Sequence, residues 1–194
     1  MCDKSKYQGQ LTGQKRFTDK TDYAGKAARM KRLIKDLEAA IREIDLKIKN
    51  LTDSDPELLR QHELLLSVDG AGERTAVKMT VETNGFRDFD SARKFCCHAG
   101  VAPFRYTSGS SIRSRNRVSN RADKSIKALL HMAALSVATR KTGGVLHEYY
   151  LRKVAEGKNK MSVLNAVRAK PVLRMFAVVR LNENYDPNYV FALA

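Results

Sequence analysis

A repeating apolar stripe in the first third of the chain constrains the fold more than any other feature. In ARMKRLIKDLEAAIREIDLKIKNL the stripe consists of Leu33, Leu37, Ile41, Ile44, Ile48 and Leu51, which recur at steps of three and four residues. These steps place them on one face of a helix, with charged residues on the other faces. The stripe predicts a coiled-coil or amphipathic helix over 26–53 that needs a partner to cover its seam.

The remaining segments complete a mainly α-helical prediction. Residues 1–25 are polar and lack a period, which predicts a disordered tail. Several helical stretches separated by glycines predict a compact helical domain over 54–181, followed by a C-terminal tail at 182–194. The stretch YTSGSSIRSRNRVS is the exception, and it predicts a basic loop or a short β-hairpin.

A tight DGAG turn at 69–72 joins two of the predicted helices. The pattern resembles a helix-hairpin-helix element, in which glycines let backbone N–H groups approach a phosphate at a helix N-terminus. On that interpretation Gly70 and Gly72 bind nucleic acid. An ordinary turn between two helices explains these glycines almost as well, so both interpretations stay open.

The charge of the chain points to a polyanionic partner. Lys and Arg total 36 against 21 Asp and Glu, which gives a formal charge of +15. Nucleic acid is the leading candidate and an anionic membrane surface the second, while a merely basic protein is the third interpretation. No apolar run of about 18 residues predicts a membrane span. Three cysteines, two of them adjacent, favour a reducing cytoplasm.

The sequence offers no metal site and no cofactor motif. The histidines are scattered, and Cys96-Cys97-His98 is too tight and lacks a second pair of ligands. The carboxylates do not form a set that would hold Mg²⁺ for phosphoryl transfer. We therefore expect no metal and no cofactor in this chain.

A basic segment between Phe104 and Lys127 carries the strongest functional signal. Its cations are Arg105, Arg113, Arg115, Arg117, Arg121, Lys124 and Lys127, and Asp123 is its one acid. On an extended strand, arginines at 113, 115 and 117 share one side and meet successive phosphates. Ser108-Gly109 has the character of a turn that bears a nucleophile, because nearby guanidinium groups neutralise a phosphate. From the residues alone, plain loop serines are the favoured explanation.

The order of four motifs resembles a known module. SVDGAGERTAVKM, FRDFDSARKFCCHAGVAPFRYTSGSSIR, KSIKALLHMAALSVAT and YYLRKVAEGKNKMSVLNAVRAK follow one another over about 54–181. In this order they resemble the C-terminal transposase domain of the bacterial insertion-sequence family often called DEDD transposases, whose relatives include pilin-gene-inverting recombinases.

The resemblance implies a DNA transposase or recombinase domain. Its serine nucleophile, in an SG motif after GVAP, falls on Ser108. Full-length members begin with a resolvase-like domain whose four acids bind metal, so Mg²⁺ is expected only there. Members act as dimers or tetramers, and some are guided by a structured RNA. The implied partners are DNA, a guide RNA, and a second copy or a full-length transposase joined through the coiled coil, in the bacterial cytoplasm at the nucleoid.

The chain departs from that pattern in two places. About 25 residues precede the coiled-coil segment, so we expect a truncated gene product, a degraded element or one half of a split protein. It should bind nucleic acid and self-associate without completing strand exchange. Pro171 predicts a kink or a split in the last helix. The alternatives are a non-catalytic nucleic-acid-binding module and a regulatory or assembly module of a transposase.

Overall fold

The computed structural model describes residues 2–15, 20–102, 107–108, 112–113, 122–140 and 143–187. The elements in chain order are α1 (Cys2–Gln14), α2 (Lys20–Ser54), α3 (Pro56–Ser67), α4 (Glu73–Glu82), α5 (Ala92–His98), β1 (Thr107–Ser108), β2 (Ile112–Arg113), α6 (Lys124–Thr139), α7 (Val145–Ala155) and α8 (Lys160–Leu181). The predicted mainly α class is confirmed. The chain divides into two compact units, residues 1–56 and 57–194.

Unit 1 is formed by α1 and α2, which pack against each other. Lys4, Tyr7 and Leu11 are half-buried on one face of α1. The hydroxyl of Tyr23 donates a hydrogen bond of 3.0 Å to the carbonyl of Leu11, and Lys4 pairs with Glu38 at 2.8 Å. Residues 2–14 are therefore helical where the sequence predicts a disordered tail. Tyr7 and Leu11 alone are too few apolar residues to predict a helix from the sequence. Packing of α1 on α2 supplies the stability of this helix.

The apolar stripe of α2 is partly exposed along its length, and its first member, Leu33, is 44% exposed. Helix α2 spans 35 residues and includes the whole predicted coiled-coil segment. Ile44 is 55% exposed and Leu51 68% exposed. A pairing of this seam with another helix stays a prediction.

Unit 2 is built around one main apolar cluster. Phe95 is fully buried, and its ring lies 5.1 Å from that of Phe89 and 5.8 Å from that of Phe176, between centroids. The cluster draws on α3 to α6 and on α8, through Leu64, Leu65, Val68, Ala76, Met79, Cys96, Ile126, Leu130, Val172 and Met175. A smaller cluster of Ala134, Ala138, Leu164 and Val167, with Tyr149 and Tyr150 packed on it, joins α6, α7 and α8.

Helix α8 runs from Lys160 to Leu181 without a break. Pro171 lies inside this helix and is buried, so the predicted split does not occur. Proline in a helix interior costs about 3 kcal/mol, and burial of its ring offsets part of that cost. The chain after α8 is held to α3, because Arg60 donates to the carbonyl of Asn182 at 3.0 Å and the N–H of Tyr185 donates to Ser67 Oγ at 2.9 Å.

The two longest helices carry charged residues along most of their length. Basic and acidic residues surround the stripe of α2. Four cations interrupt the apolar sequence of α8, namely Arg168, Lys170, Arg174 and Arg180. Across the described ranges, no helix combines the length and the apolarity that crossing a membrane requires.

Candidate nucleic-acid interface

The predicted site residues fall in three places of unit 2. They are Ser108 and Arg113 in the two-stranded ribbon, Gly70 and Gly72 in the turn between α3 and α4, and Lys124 at the first residue of α6. The other predicted cations lie outside the described residues, namely Arg105, Arg115, Arg117 and Arg121. The row of arginines predicted along one strand is described at Arg113, and the positions of Arg115 and Arg117 stay a prediction.

The ribbon gives Ser108 a defined backbone position. Strands β1 and β2 pair antiparallel, with Ser108 opposite Ile112 and Thr107 opposite Arg113. Ser108 thus stands at the end of the ribbon, beside the connection 109–111. Of the two alternatives predicted for this segment, the structure has the short hairpin pairing. Thr107, rather than Ser108, is the register partner of Arg113.

The chain enters the ribbon segment from a buried anchor. The N–H groups of Val101 and Ala102 donate to the carbonyl of Cys96 at 2.9 and 3.1 Å. Burial, with a smaller contribution from Cys97, raises the pKa of the Cys96 thiol to about 12, so this cysteine is a packing residue and not a nucleophile at neutral pH. Among the described residues, no three His, Cys, Asp or Glu side chains are grouped so as to hold a metal ion.

The chain leaves the segment through the N-cap of α6. Asp123 Oδ1 accepts hydrogen bonds from the N–H of Ser125 at 2.6 Å and from the N–H of Ile126 at 3.0 Å. The hydrogen bond from Ile126 is the main reason that the pKa of Asp123 is lowered, and Ser125, Lys78 and His98 lower it further. The cap fixes where the helix begins and where the basic segment ends.

Both anchors belong to one core. Val101 is 4% exposed, Ile126 is fully buried, and both pack in the cluster of Phe95. The described residues that flank the basic segment, Val101 and Ala102 before it and Ile126 after it, therefore contact the same core. A segment held at both ends on rigid helices is a suitable support for a binding site.

We expect Asp123→Ala to lower the free energy of unfolding of unit 2 by about 1 kcal/mol, because it removes the N-cap of α6. The folded pKa of Asp123 is lowered. Its contribution is therefore complete above the unfolded value of about 3.9 and is lost as the pH falls through the folded value. Urea unfolding at pH 7 and at lower pH measures this difference between the wild type and the variant.

Asp123→Asn is the matched control for the cap. It keeps an acceptor for the N–H groups of Ser125 and Ile126 and removes the charge, so it should retain most of the stability at pH 7. A wild-type advantage over Asp123→Ala that does not shrink on acidification would contradict the role assigned to the charged cap.

The first glycine of the DGAG turn is explained by packing. Gly70 has φ +90°, and a Cβ at this position would lie 2.7 Å from Val137 Cγ2 on α6. Asp69, the preceding residue, pairs with Arg140 at the end of α6. The turn is therefore pressed against α6 and fastened to it.

The second glycine has a different environment. Gly72 is the N-cap of α4, with φ −111°, and a Cβ there would meet nothing within 4 Å. This end of α4 has the room that an approaching anion needs. The carboxylate of Glu73, which pairs with His62 at 2.7 Å, occupies the same first turn. A phosphate contact at this turn stays a prediction, and Gly72 is the glycine that has space for it.

A second group of cations lies on α7 and α8 and escaped the sequence analysis. We name Arg152, Lys170 and Arg174 the α7–α8 basic cluster. The available signal was the spacing of Lys170 and Arg174, which are four residues apart on one helix. Arg152 is distant in sequence, and the packing of α7 on α8 brings it to the others.

Comparisons with known proteins agree with the motif resemblance. Residues 62–151 match the sequence model of a family described as "Transposase IS116/IS110/IS902 family". The pilin gene-inverting proteins of Moraxella bovis and Moraxella lacunata are each 27% identical to the chain over 147 residues, which is 76% of the chain. The chain spans 45% of the length of these relatives. These matches support a relationship to a transposase family, and the segment 62–151 includes Ser108.

Proposed function

We propose that the chain is a DNA-binding recombination domain of the transposase type, in which Ser108 attacks a DNA phosphodiester. The observation that carries the proposal is the family match over 62–151, which contains a basic segment anchored at both ends in one core. The relatives are named pilin gene-inverting proteins, and inversion of a gene favours DNA as the substrate.

The proposed chemistry is a transesterification. The hydroxyl of Ser108 loses its proton as Oγ forms a bond to phosphorus, and the bond from phosphorus to the deoxyribose oxygen breaks. The departing oxygen takes up a proton and becomes a free hydroxyl. Because the phosphoserine bond replaces one phosphoester by another, the reverse step can join a new DNA end without an energy source. Arg113, Arg115 and Arg117 are the proposed cations that neutralise the phosphate oxygens as charge develops.

DNA binding is tested by its salt dependence. If about five cations meet phosphates of B-DNA, the logarithm of the association constant should fall with log salt at a slope of about −4.5. Fluorescence anisotropy with a labelled duplex at several NaCl concentrations measures the slope. A slope near zero would reject DNA binding.

The nucleophile is tested by a covalent adduct. The wild-type chain is incubated with DNA that carries the end of its own element, and a protein–DNA band is sought after denaturation. Ser108→Ala should abolish the band. Thr107→Val is the matched control, because it removes the hydroxyl opposite Arg113 and should leave the band intact. An adduct formed equally well by Ser108→Ala rules out this serine.

A non-catalytic role in assembly is the second candidate, and the open stripe of α2 favours it. Ile44 and Leu51 present apolar surface that a second copy or a longer transposase could cover. Salt-dependent DNA binding without any adduct would select this candidate. Light scattering on the same preparation then decides whether the stripe mediates self-association. A strict monomer at high concentration would remove the basis of the assembly role.

A further inference from the structure

The α7–α8 basic cluster is assembled around two tyrosine rings. Lys170 Nζ lies 4.4 Å from the centroid of the Tyr149 ring, and Arg152 Cζ lies 5.8 Å from the same centroid. Arg174 is one helical turn beyond Lys170, with its Cζ 4.5 Å from the ring of Tyr185. Two of the cations thus share the ring of Tyr149, and the charge of Arg174, one helical turn away on a second ring, also acts on Lys170.

These cations differ from several others of unit 2 that have an acidic partner among the described residues. The paired ones include Arg140 with Asp69, Lys78 with Glu82, Arg87 with Glu57 and Lys153 with Glu156. Within the described part of the chain, Arg152, Lys170 and Arg174 form no salt bridge, and their side chains donate no hydrogen bond. The Nη1 nitrogen of Arg174 is buried and has no hydrogen-bond partner among the described residues.

The arrangement is electrostatically costly in the free protein. Burial is the main cause that lowers the pKa of Lys170, and the charges of Arg174 and Arg152 lower it further. Cation–π contacts are each worth about 0.5–2 kcal/mol, but they supply no negative charge, and among the described residues no acid pairs with Lys170 or Arg174. The carboxylate of Glu156 interacts electrostatically with Arg152. It also accepts hydrogen bonds from Lys153 at 2.7 and 2.9 Å. An anion is therefore the missing complement of the cluster.

The platform under the cluster is rigid. Tyr149 packs on Ala134, Ala138, Leu164 and Val167, so α6 and α8 fix its ring. A rigid platform keeps Arg152 and Lys170 close together without the entropy cost of gathering two free side chains. Two guanidinium groups offer forked donors that fit phosphate oxygens, and the ammonium of Lys170 adds a point charge.

We propose that Arg152, Lys170 and Arg174 form a second nucleic-acid contact, which binds a phosphodiester of the backbone away from the Ser108 segment. The inference rests on the proposed function, since it requires that the chain bind nucleic acid. It adds a contact on α7 and α8 that positions the polyanion and carries no chemistry. DNA and RNA share the phosphodiester, so both are tested.

The test compares two lysines of equal charge and different pairing. Lys170→Gln should weaken binding of a 20-base-pair DNA duplex about tenfold near 0.1 M salt and reduce the log–log salt slope by about 0.9, because one phosphate contact is lost. Lys153→Gln removes the same charge from an ion pair with Glu156 and should change affinity less than twofold. An RNA hairpin of equal phosphate number forms the second arm. A loss with one polymer identifies that polymer as the ligand, and a loss with both identifies the shared backbone.

A footprint on the wild-type chain removes dependence on the folding of variants. Reductive methylation of lysines, followed by mass spectrometry, should show Lys170 protected when saturating nucleic acid is added. If the wild type binds with a steep salt slope and Lys170 stays unprotected in both arms, the second contact is wrong and the proposed function stands. If the wild type shows no salt-dependent binding to either polymer, the proposed function fails and the second contact fails with it.

Discussion

Phe95→Ala should lower the free energy of unfolding of unit 2 by about 3–5 kcal/mol, the range for deleting a buried aromatic ring. Phe95 is fully buried, and its ring meets those of Phe89, Phe176 and His98 at 5.1, 5.8 and 6.0 Å between centroids. Phe176 comes from α8 and Phe89 from the chain before α5, so the cavity is enclosed by residues of different segments and cannot collapse freely. Urea unfolding followed by far-UV circular dichroism measures the loss.

Val81→Ala is the control for this prediction. Val81 lies on α4 and is 69% exposed, so its truncation should change stability by no more than about 0.5 kcal/mol. Domains of this size are stable by roughly 5–15 kcal/mol, so the Phe95 variant should lose a large fraction of the stability of unit 2. A cost no larger than that of Val81→Ala would show that the ring is not the centre of this core.

The loss should also reach the candidate site. Phe95 is followed by Cys96, whose carbonyl holds Val101 and Ala102 where the chain enters the ribbon segment. Both ends of that segment depend on the cluster that Phe95 fills. A loss of core stability should therefore also loosen the backbone on both sides of the segment that carries Ser108.

Sequence patterns can predict those features that depend on interactions between residues close along the chain. The period of the α2 stripe is contained in neighbouring residues. The N-caps that Ser91 and Asp123 provide for α5 and α6 are local features of the same kind. An N-cap needs only an acceptor two or three residues before an unpaired N–H, so sequence alone can reveal it.

Features that depend on packing between distant segments could not be predicted in this way. Helix α1 owes its order to contacts with α2, and its own apolar content is low. The α7–α8 basic cluster requires Arg152 and Lys170 to meet across the ring of Tyr149, although 18 residues separate them in sequence. No local pattern distinguishes these two cations from the paired Lys153.

The candidate site itself was predictable only through resemblance. Residue chemistry alone favoured a plain loop serine at 108, and the motif order singled out this hydroxyl. The ribbon gives Ser108 a backbone position, while its role as nucleophile stays a proposal. The arginines at 115 and 117 lie outside the described residues, so their share of the site also stays a proposal.

The two glycines of the DGAG turn should respond very differently to alanine. Gly70→Ala should cost about 2–4 kcal/mol of unfolding free energy, because the left-handed φ is strained for alanine and the new Cβ would press on Val137. Gly72→Ala should cost less than about 1 kcal/mol, since φ is extended there and the space is open, and only the cap preference changes. Urea unfolding of both variants measures the contrast, and equal costs would contradict the packing role of Gly70.

The same two glycine variants distinguish a packing role of the DGAG turn from a phosphate contact. If the backbone at the start of α4 approaches a phosphate, a methyl group at Gly72 should weaken DNA binding several-fold while stability is nearly preserved. Binding is measured by anisotropy at fixed salt, at a temperature where both variants are folded. If Gly72→Ala binds DNA like the wild type, the turn fastens α3 and α4 to α6 through Gly70 and Asp69 and takes no part in binding. The helix-hairpin-helix interpretation would then be rejected, and the basic segment and the α7–α8 basic cluster would remain as the proposed contacts.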